Sequence, residues 1–140
     1  MIKIVISNEK EVNDFGAKSW KALDKEHFGR EFNWEEKEYF YKAVDSGKMI
    51  GMICGKYESN SLWIDNLIVD LSRRGGGIGS MLLNKALEFG KSNNAKSAWL
   101  ITGKGWDSVK FWQVNNFKII GVLKKYRASR DFVILSRSFN

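Results

Sequence analysis

Proline is absent from this 140-residue sequence, cysteine and histidine occur once each, and no apolar run approaches membrane-span length. Each shortage excludes something. A single cysteine, Cys54, permits no internal disulfide and suits a reducing cytoplasm. It lies in the apolar run MIGMICG and is expected to be a small core residue. The one histidine, His27, lies between Glu26 and Phe28; it reads as a polar surface or capping residue, and no metal-ligand cluster exists for it to join. Short apolar runs exclude a spanning helix. The start, MIKIVISNEKE, has neither a signal-peptide core nor a small-residue cleavage site. Without proline, helix ends must be read from Gly, Asn, Ser and Asp.

Acidic residues are also scarce, but only in one half. Residues 71–140 carry 3 Asp+Glu against 13 Lys+Arg, a net of +10; residues 1–70 carry 13 against 10, a net of −3. A basic half suits a polyanionic partner, nucleic acid or a phosphorylated small molecule, or is simply a solvated basic surface. The length and the 44% hydrophobic, 28% charged composition are those of one soluble globular domain spanning 1–140.

The pattern along the chain predicts alternating elements. Ile2 to Ile6 reads as a buried β-branched strand. Glu9 to about Leu23 has a rough helical face, with Asn8 placed to cap it. Residues 24–34 are poorly patterned and allow a second short helix. Glu38 to Val44 and KMIGMICGKYE form a hairpin around Asp45-Ser46-Gly47. Ser61 to Asp70 is a further strand, and a glycine-rich loop follows. Ile78, Met81, Leu82, Leu83, Ala86, Leu87 and Phe89 then recur at helical spacing, ended by Gly90 and Asn93-Asn94. A strand over Ser97–Thr102, a short helix over Asp107–Val114 and two strands, FKIIGVL and DFVILSRSF, complete an α/β chain. The expected architecture is a mixed sheet of six to seven strands with helices on both faces and a parallel crossover at its centre.

The loop, RRGGGIGSML from Arg73 to Leu82, has four glycines in ten residues. A strand that runs into glycines and then a helix presents free N–H groups and the positive end of a helix dipole to an anion. A P-loop would need Gly-Lys-Ser/Thr at its end, but Ser80-Met81 follows Gly79. A dinucleotide loop would need Gly at Ser80 or at Leu82. The bland alternative is a glycine loop that only closes a tight turn.

Arg74-Gly75-Gly76-Gly77-Ile78-Gly79 resembles the Q/R-x-x-G-x-G/A signature of the GNAT superfamily of N-acyltransferases. WIDNLIVD ahead of it is similar to that family's I-E-x-L-x-V-D strand. The hairpin GKMIGMICG also matches. The tail SVKFWQVNNF resembles A-x-x-F-Y-x-x-x-G-F, with Asn116, which can also adopt positive φ, at the position of the Gly. Element order agrees over nearly the whole chain.

The resemblance implies a single-domain GNAT fold and transfer of an acetyl group from acetyl-CoA to a primary amine, by direct attack in a ternary complex. Arg74, Gly75, Gly76, Gly77, Ile78, Gly79 and Ser80 would cradle the pyrophosphate. Leu67, Ile68 and Val69 would run beside the pantetheine arm, with a backbone N–H near Val69 on the thioester carbonyl. Asp65 would act as base or bind the amine. Trp112 stands where the family commonly has a Tyr that protonates the leaving thiolate. An indole is no useful proton donor, so Tyr126, in the basic loop KKYRASR before the last strand, becomes a second candidate acid. The aromatic residues Trp20, Phe28, Phe32 and Trp34 would wall the acceptor pocket or pack in the core.

The acceptor would be a small-molecule or peptide amine; no metal and no membrane partner is implied, and a homodimer fits a small protein of this type. A CoA-binding module with little or no catalysis is the alternative that Trp112 motivates. Nucleic-acid binding is disfavoured, because the aromatics do not interleave with Lys and Arg.

Overall fold

The computed structural model describes residues 1–139. The chain divides into two compact units, Met1–Trp34 and the residues from Glu35 onward. The first unit is built on one helix, α1 (Glu9–Phe28). Asn8 caps it, its side-chain oxygen accepting from the Glu11 N–H at 2.9 Å. Gly29 ends it at φ 70°, a left-handed conformation that glycine adopts at little cost. The helix therefore runs five residues beyond Leu23, and no second helix forms before Trp34.

Ile2–Ile6 forms no strand and is exposed. Its β-branched residues suit a pleated surface, but that preference is realised only against a neighbouring strand. Within the same unit, the buried Asp24 accepts a hydrogen bond from Trp34 Nε1 at 2.9 Å. The rings of Phe28, Phe32 and Trp34 lie against one another, with centroids 4.5–6.3 Å apart.

The second unit is a mixed sheet of six strands, not seven. In chain order they are β1 (Glu36–Asp45), β2 (Lys48–Glu58), β3 (Ser61–Val69), β4 (Ser97–Gly103), β5 (Lys118–Arg127) and β6 (Arg130–Ser138). In space they run β1-β2-β3-β4-β6-β5. Helix α2 (Ile78–Ser92) connects β3 to β4, and α3 (Asp107–Val114) connects β4 to β5. Only β3 and β4 pair in parallel, a pairing that needs a crossover connection, which α2 supplies. Each hairpin turns through two residues with positive φ: Ser46-Gly47, Ser59-Asn60 and Ala128-Ser129. That backbone follows the twist of the strands it joins.

The core lies between the sheet and α2 and α3. Leu83 and Ala86 of α2, Leu62 of β3, Ala98 of β4 and Leu135 of β6 are sealed from solvent. Gly90, expected to end α2, is instead internal to it. A Cβ there would lie 3.1 Å from Leu62 and from Phe139, so glycine lets the helix approach the sheet. The stop comes at Asn93-Asn94, with Asn94 at φ 63°. Cys54 points to the other face from the fully buried Ile53 and is only partly buried. Among the six tryptophans Trp112 alone is in the core; Trp20, Trp34 and Trp106 are more than half exposed.

Candidate active site

β3 and β4 are paired only at Ser61–Trp63 and Ser97–Trp99. Beyond that they separate. β3 remains bound to β2, with Leu67 opposite Ile53 and Val69 opposite Gly51. The Asp70 N–H goes to the Ile50 carbonyl at 2.8 Å. By strand alternation, the N–H and C=O groups of Leu67 and Val69 face away from β2, into the gap that β4 leaves. A mixed sheet thus opens a slot lined by peptide groups that no neighbouring strand pairs.

The glycine loop closes one end of the slot. Gly75 and Gly77 sit at φ 83° and 81°, with nothing within 4 Å of where a Cβ would be. Gly77 is the N-cap of α2 and offers no side chain to its first N–H groups. Those donors are left for an anion, at the positive end of the helix dipole. Gly79 is tight for another reason: its missing Cβ would lie 3.2 Å from the Phe111 ring, where α2 meets α3. Arg74 Nε donates to the Val69 carbonyl at 3.1 Å. Arg73 pairs with Asp45 of the β1–β2 hairpin at 2.7 Å. Its hydrogen bond and its charge hold the Asp45 carboxyl below the usual carboxylate range.

The result is a cleft of about 500 Å³ between β3, the loop and α3. Leu67, Ile68, Val69, Arg74, Gly75, Gly77, Ile78, Gly79, Ser80 and Trp112, all named from the sequence, line it; Gly76 does not. Four lining residues were not anticipated: Arg73, Asp107, Ser108 and Phe111. Three were within reach. Arg73 is half of an Arg-Arg pair, and Ser108 and Phe111 belong to the same SVKFW segment that placed Trp112.

The candidate proton-transfer residues lie elsewhere. Asp65 is the extra residue of a β-bulge: Cys54 faces Asn66 and Gly55 faces Ile64, so Asp65 has no opposite number. It is exposed, two residues short of the cleft lining. A bulge re-aims a side chain, and here it separates Asp65 from the core-facing Ile64. Tyr39 supports the bulge from β1. Its hydroxyl donates to the Trp63 carbonyl at 2.8 Å. Burial, and then the charge of Asp65, push that hydroxyl far above its usual value. Gly55 makes the room, since a Cβ there would collide with the Trp63 carbonyl and the Tyr39 hydroxyl.

Tyr126 is not in a loop, because β5 continues through Arg127. It is 43% exposed, packs against Phe132 with ring centroids 5.5 Å apart, lies under the Arg127 guanidinium and does not line the cleft. Trp112 is 5% exposed and wedged between the rings of Phe111 and Phe117. His27 is exposed in the last turn of α1. Among the described residues no group of acidic, His or Cys side chains is arranged to hold a metal ion. No helix of theirs is long and apolar enough to cross a membrane.

The strands part beside a glycine-rich helix start, next to the residues that the resemblance assigns to the pyrophosphate and the pantetheine arm. The family model of the acetyltransferase (GNAT) family matches residues 9–117.

This chain belongs to the GNAT acetyltransferase family.

Solved structures agree. An acetyltransferase from Bacillus cereus superposes with a TM-score of 0.76 at 18% identity, covering 99% of this chain and 98% of that one. Arabidopsis thaliana Naa50, in complex with the bisubstrate analogue CoA-Ac-MVNAL, gives 0.66 at 26% identity, covering 90% and 94%. Ard1 of Thermoplasma volcanium gives 0.63 at 25%, covering 66% and 65%. No protein of curated function matches the chain by sequence. Membership makes the protein an acetyltransferase, and the six-stranded mixed sheet with its three helices is that family's α/β fold.

Proposed function

We propose that this protein moves the acetyl group of acetyl-CoA to a primary amine by direct attack in a ternary complex. The observation that carries the reading is the parting of β3 from β4 after Trp63 and Trp99, over a cleft that ends on the glycine loop. The slot offers peptide groups to an amide-bearing arm, and the loop offers N–H donors to phosphates. Arg74 adds positive charge at the same end, where Arg73 is paired with Asp45. The Arabidopsis relative was solved with a ligand that joins CoA to a peptide, which supports the same donor here and a small-molecule or peptide amine as acceptor.

In this reading the gap-facing backbone N–H of Leu67, one pleat from Val69, holds the thioester carbonyl as negative charge develops on its oxygen. Asp65, projected by its bulge, takes the proton from the amine directly or through water. Thermal shift with acetyl-CoA and with free CoA tests the donor: a rise in Tm is expected, and no shift with either overturns it. Thiol release across a panel of primary amines then tests transfer. Asp65→Asn should cut the rate, whereas an unchanged pH–rate profile removes Asp65 as base.

One observation favours a second reading. Trp112 puts a buried indole where the family commonly has a phenol, so the chain would bind CoA with little turnover. A Tm shift with CoA and no thiol release with any amine would select it.

A further inference from the structure

The family segment A-x-x-F-Y reads S-x-x-F-W in this chain, as Ser108 to Trp112. One hydroxyl has been lost and another gained, four residues apart. That spacing is one helical turn, so both positions share a face of α3, and both line the cleft. The gained hydroxyl is also held. Ser108 Oγ lies 2.9 Å from Thr102 Oγ1, and Thr102, near the end of β4, is only 9% exposed. When Thr102 donates to Ser108, the Ser108 proton is free for a third group in the cleft.

The register shows where along the cleft this happens. From the Trp63–Trp99 pair, Thr102 is three residues on. Leu67 is four on, one of them the bulge residue Asp65. Thr102 and Leu67 therefore stand at the same level on opposite sides of the gap. Phe111, by contrast, sits against Gly79 at the phosphate end. Ser108 thus lies at the end away from the loop, where an arm anchored by its phosphates at Gly77–Gly79 and extended along Val69 and Leu67 brings its sulfur.

We infer that the Ser108 hydroxyl, backed by Thr102, is the hydrogen-bond donor to the departing coenzyme A thiolate, in the role that Trp112 leaves vacant. The inference rests on the acetyl-CoA reading above. The amine nitrogen forms the C–N bond to the acetyl carbon. The C–S bond breaks, and sulfur keeps the electron pair. The proton lost by nitrogen goes to Asp65 or water. Ser108 keeps its own proton and donates a hydrogen bond to the sulfur anion, which takes its proton from solvent after release. No serine alkoxide forms. A hydroxyl is too weak an acid to give up its proton here, but a charge-assisted hydrogen bond needs no transfer, and a thiolate is a tolerable leaving group with a pKa near ~8.5.

The test uses the full chain with bound coenzyme A, following thiolate absorbance against pH. Ser108→Ala is a mild change, because alanine suits a helix. It is expected to raise the bound thiol pKa by about one unit, the size of one charge-assisted hydrogen bond. With an amine that the wild type acetylates, kcat should fall roughly tenfold or more while KM for acetyl-CoA stays within about twofold. Thr102→Val, which keeps the side-chain shape, should give a smaller change of the same sign. Adding Trp112→Tyr to Ser108→Ala should restore part of the lost kcat. A bound thiol pKa that is the same with and without Ser108 overturns the inference, even in an active enzyme. Failure of the wild type to bind coenzyme A overturns the donor reading itself.

Discussion

Arg74 Nε donates to the carbonyl oxygen of Val69 at 3.1 Å, tying the glycine loop back onto the strand it has just left. The bond occupies a carbonyl at the mouth of the slot, and Arg74 lines the same cleft as Gly77, the N-cap of α2. Arg74→Ala removes both the tie and the charge. KM for acetyl-CoA is expected to rise about tenfold, as for loss of one hydrogen bond to a charged group, with kcat changed much less. Steady-state kinetics at fixed amine check this. An equal loss in kcat at unchanged KM would contradict it.

The two loop glycines should respond differently. Gly77 sits at φ 81°, so Gly77→Ala forces a left-handed alanine, costing about 1–2 kcal/mol in stability, and also crowds the anion site. Gly79 lies inside the first turn of α2, where alanine gains roughly 1 kcal/mol of helix propensity, but its Cβ would press on the Phe111 ring from 3.2 Å. Gly79→Ala should therefore leave the Tm within a few degrees while raising KM for acetyl-CoA. Thermal melts with and without acetyl-CoA separate the two effects.

Asp45 and Arg73 join the β1–β2 turn to the cleft. Asp45's carboxyl is held below its usual range, first by the hydrogen bond from Arg73 and then by its charge. A folded-state pKa below the unfolded one gives stability that is present above the unfolded value, near ~4, and lost as pH falls through the folded one. Wild type should lose stability on that acid limb more steeply than Asp45→Asn. Urea midpoints between about pH 3 and pH 7 report the difference, with both curves flat toward the neutral end.

What could be read from the sequence divides along a physical line. Elements whose residues both propose and satisfy a structure were visible. The Asp45-Ser46-Gly47 turn, α3 over Asp107–Val114 and the positive φ of Asn116 all appear where local chemistry puts them. The cleft loop was visible because four glycines have few other uses. Ile2–Ile6 was misread because β-branching records a preference and not a partner. Gly90 was misread because one residue type serves both to end a helix and to let it approach a sheet. Ser108 was overlooked because a serine gains meaning only from what it faces, and neither Thr102 nor the divergence of β4 from β3 is local to it. The bulge at Asp65 has the same origin. It is a mismatch between two strands, set by Gly55 on one and Tyr39 on a third.

That bulge yields the last expectation. The Tyr39 hydroxyl donates to the Trp63 carbonyl while 3% exposed, and burial followed by the Asp65 charge pushes its pKa far above the usual value near ~10. A raised folded-state pKa gives stability that is complete below the unfolded value and lost as pH rises beyond it toward the folded one. The unfolded chain ionises first, so wild-type stability should decline above about pH 10. Tyr39→Phe removes this alkaline limb. It also leaves a buried carbonyl without its donor, at a cost of about 1–3 kcal/mol at neutral pH. The variant should thus be less stable at pH 7, and its disadvantage should narrow as pH rises past 10. If bulge geometry aims Asp65, the same variant should lower kcat with the amine acceptor while KM for acetyl-CoA holds, because the slot at Leu67–Val69 is anchored separately through β2. Urea unfolding against pH, paired with the kinetic split, decides both points. An alkaline limb that persists in Tyr39→Phe would assign it to another group.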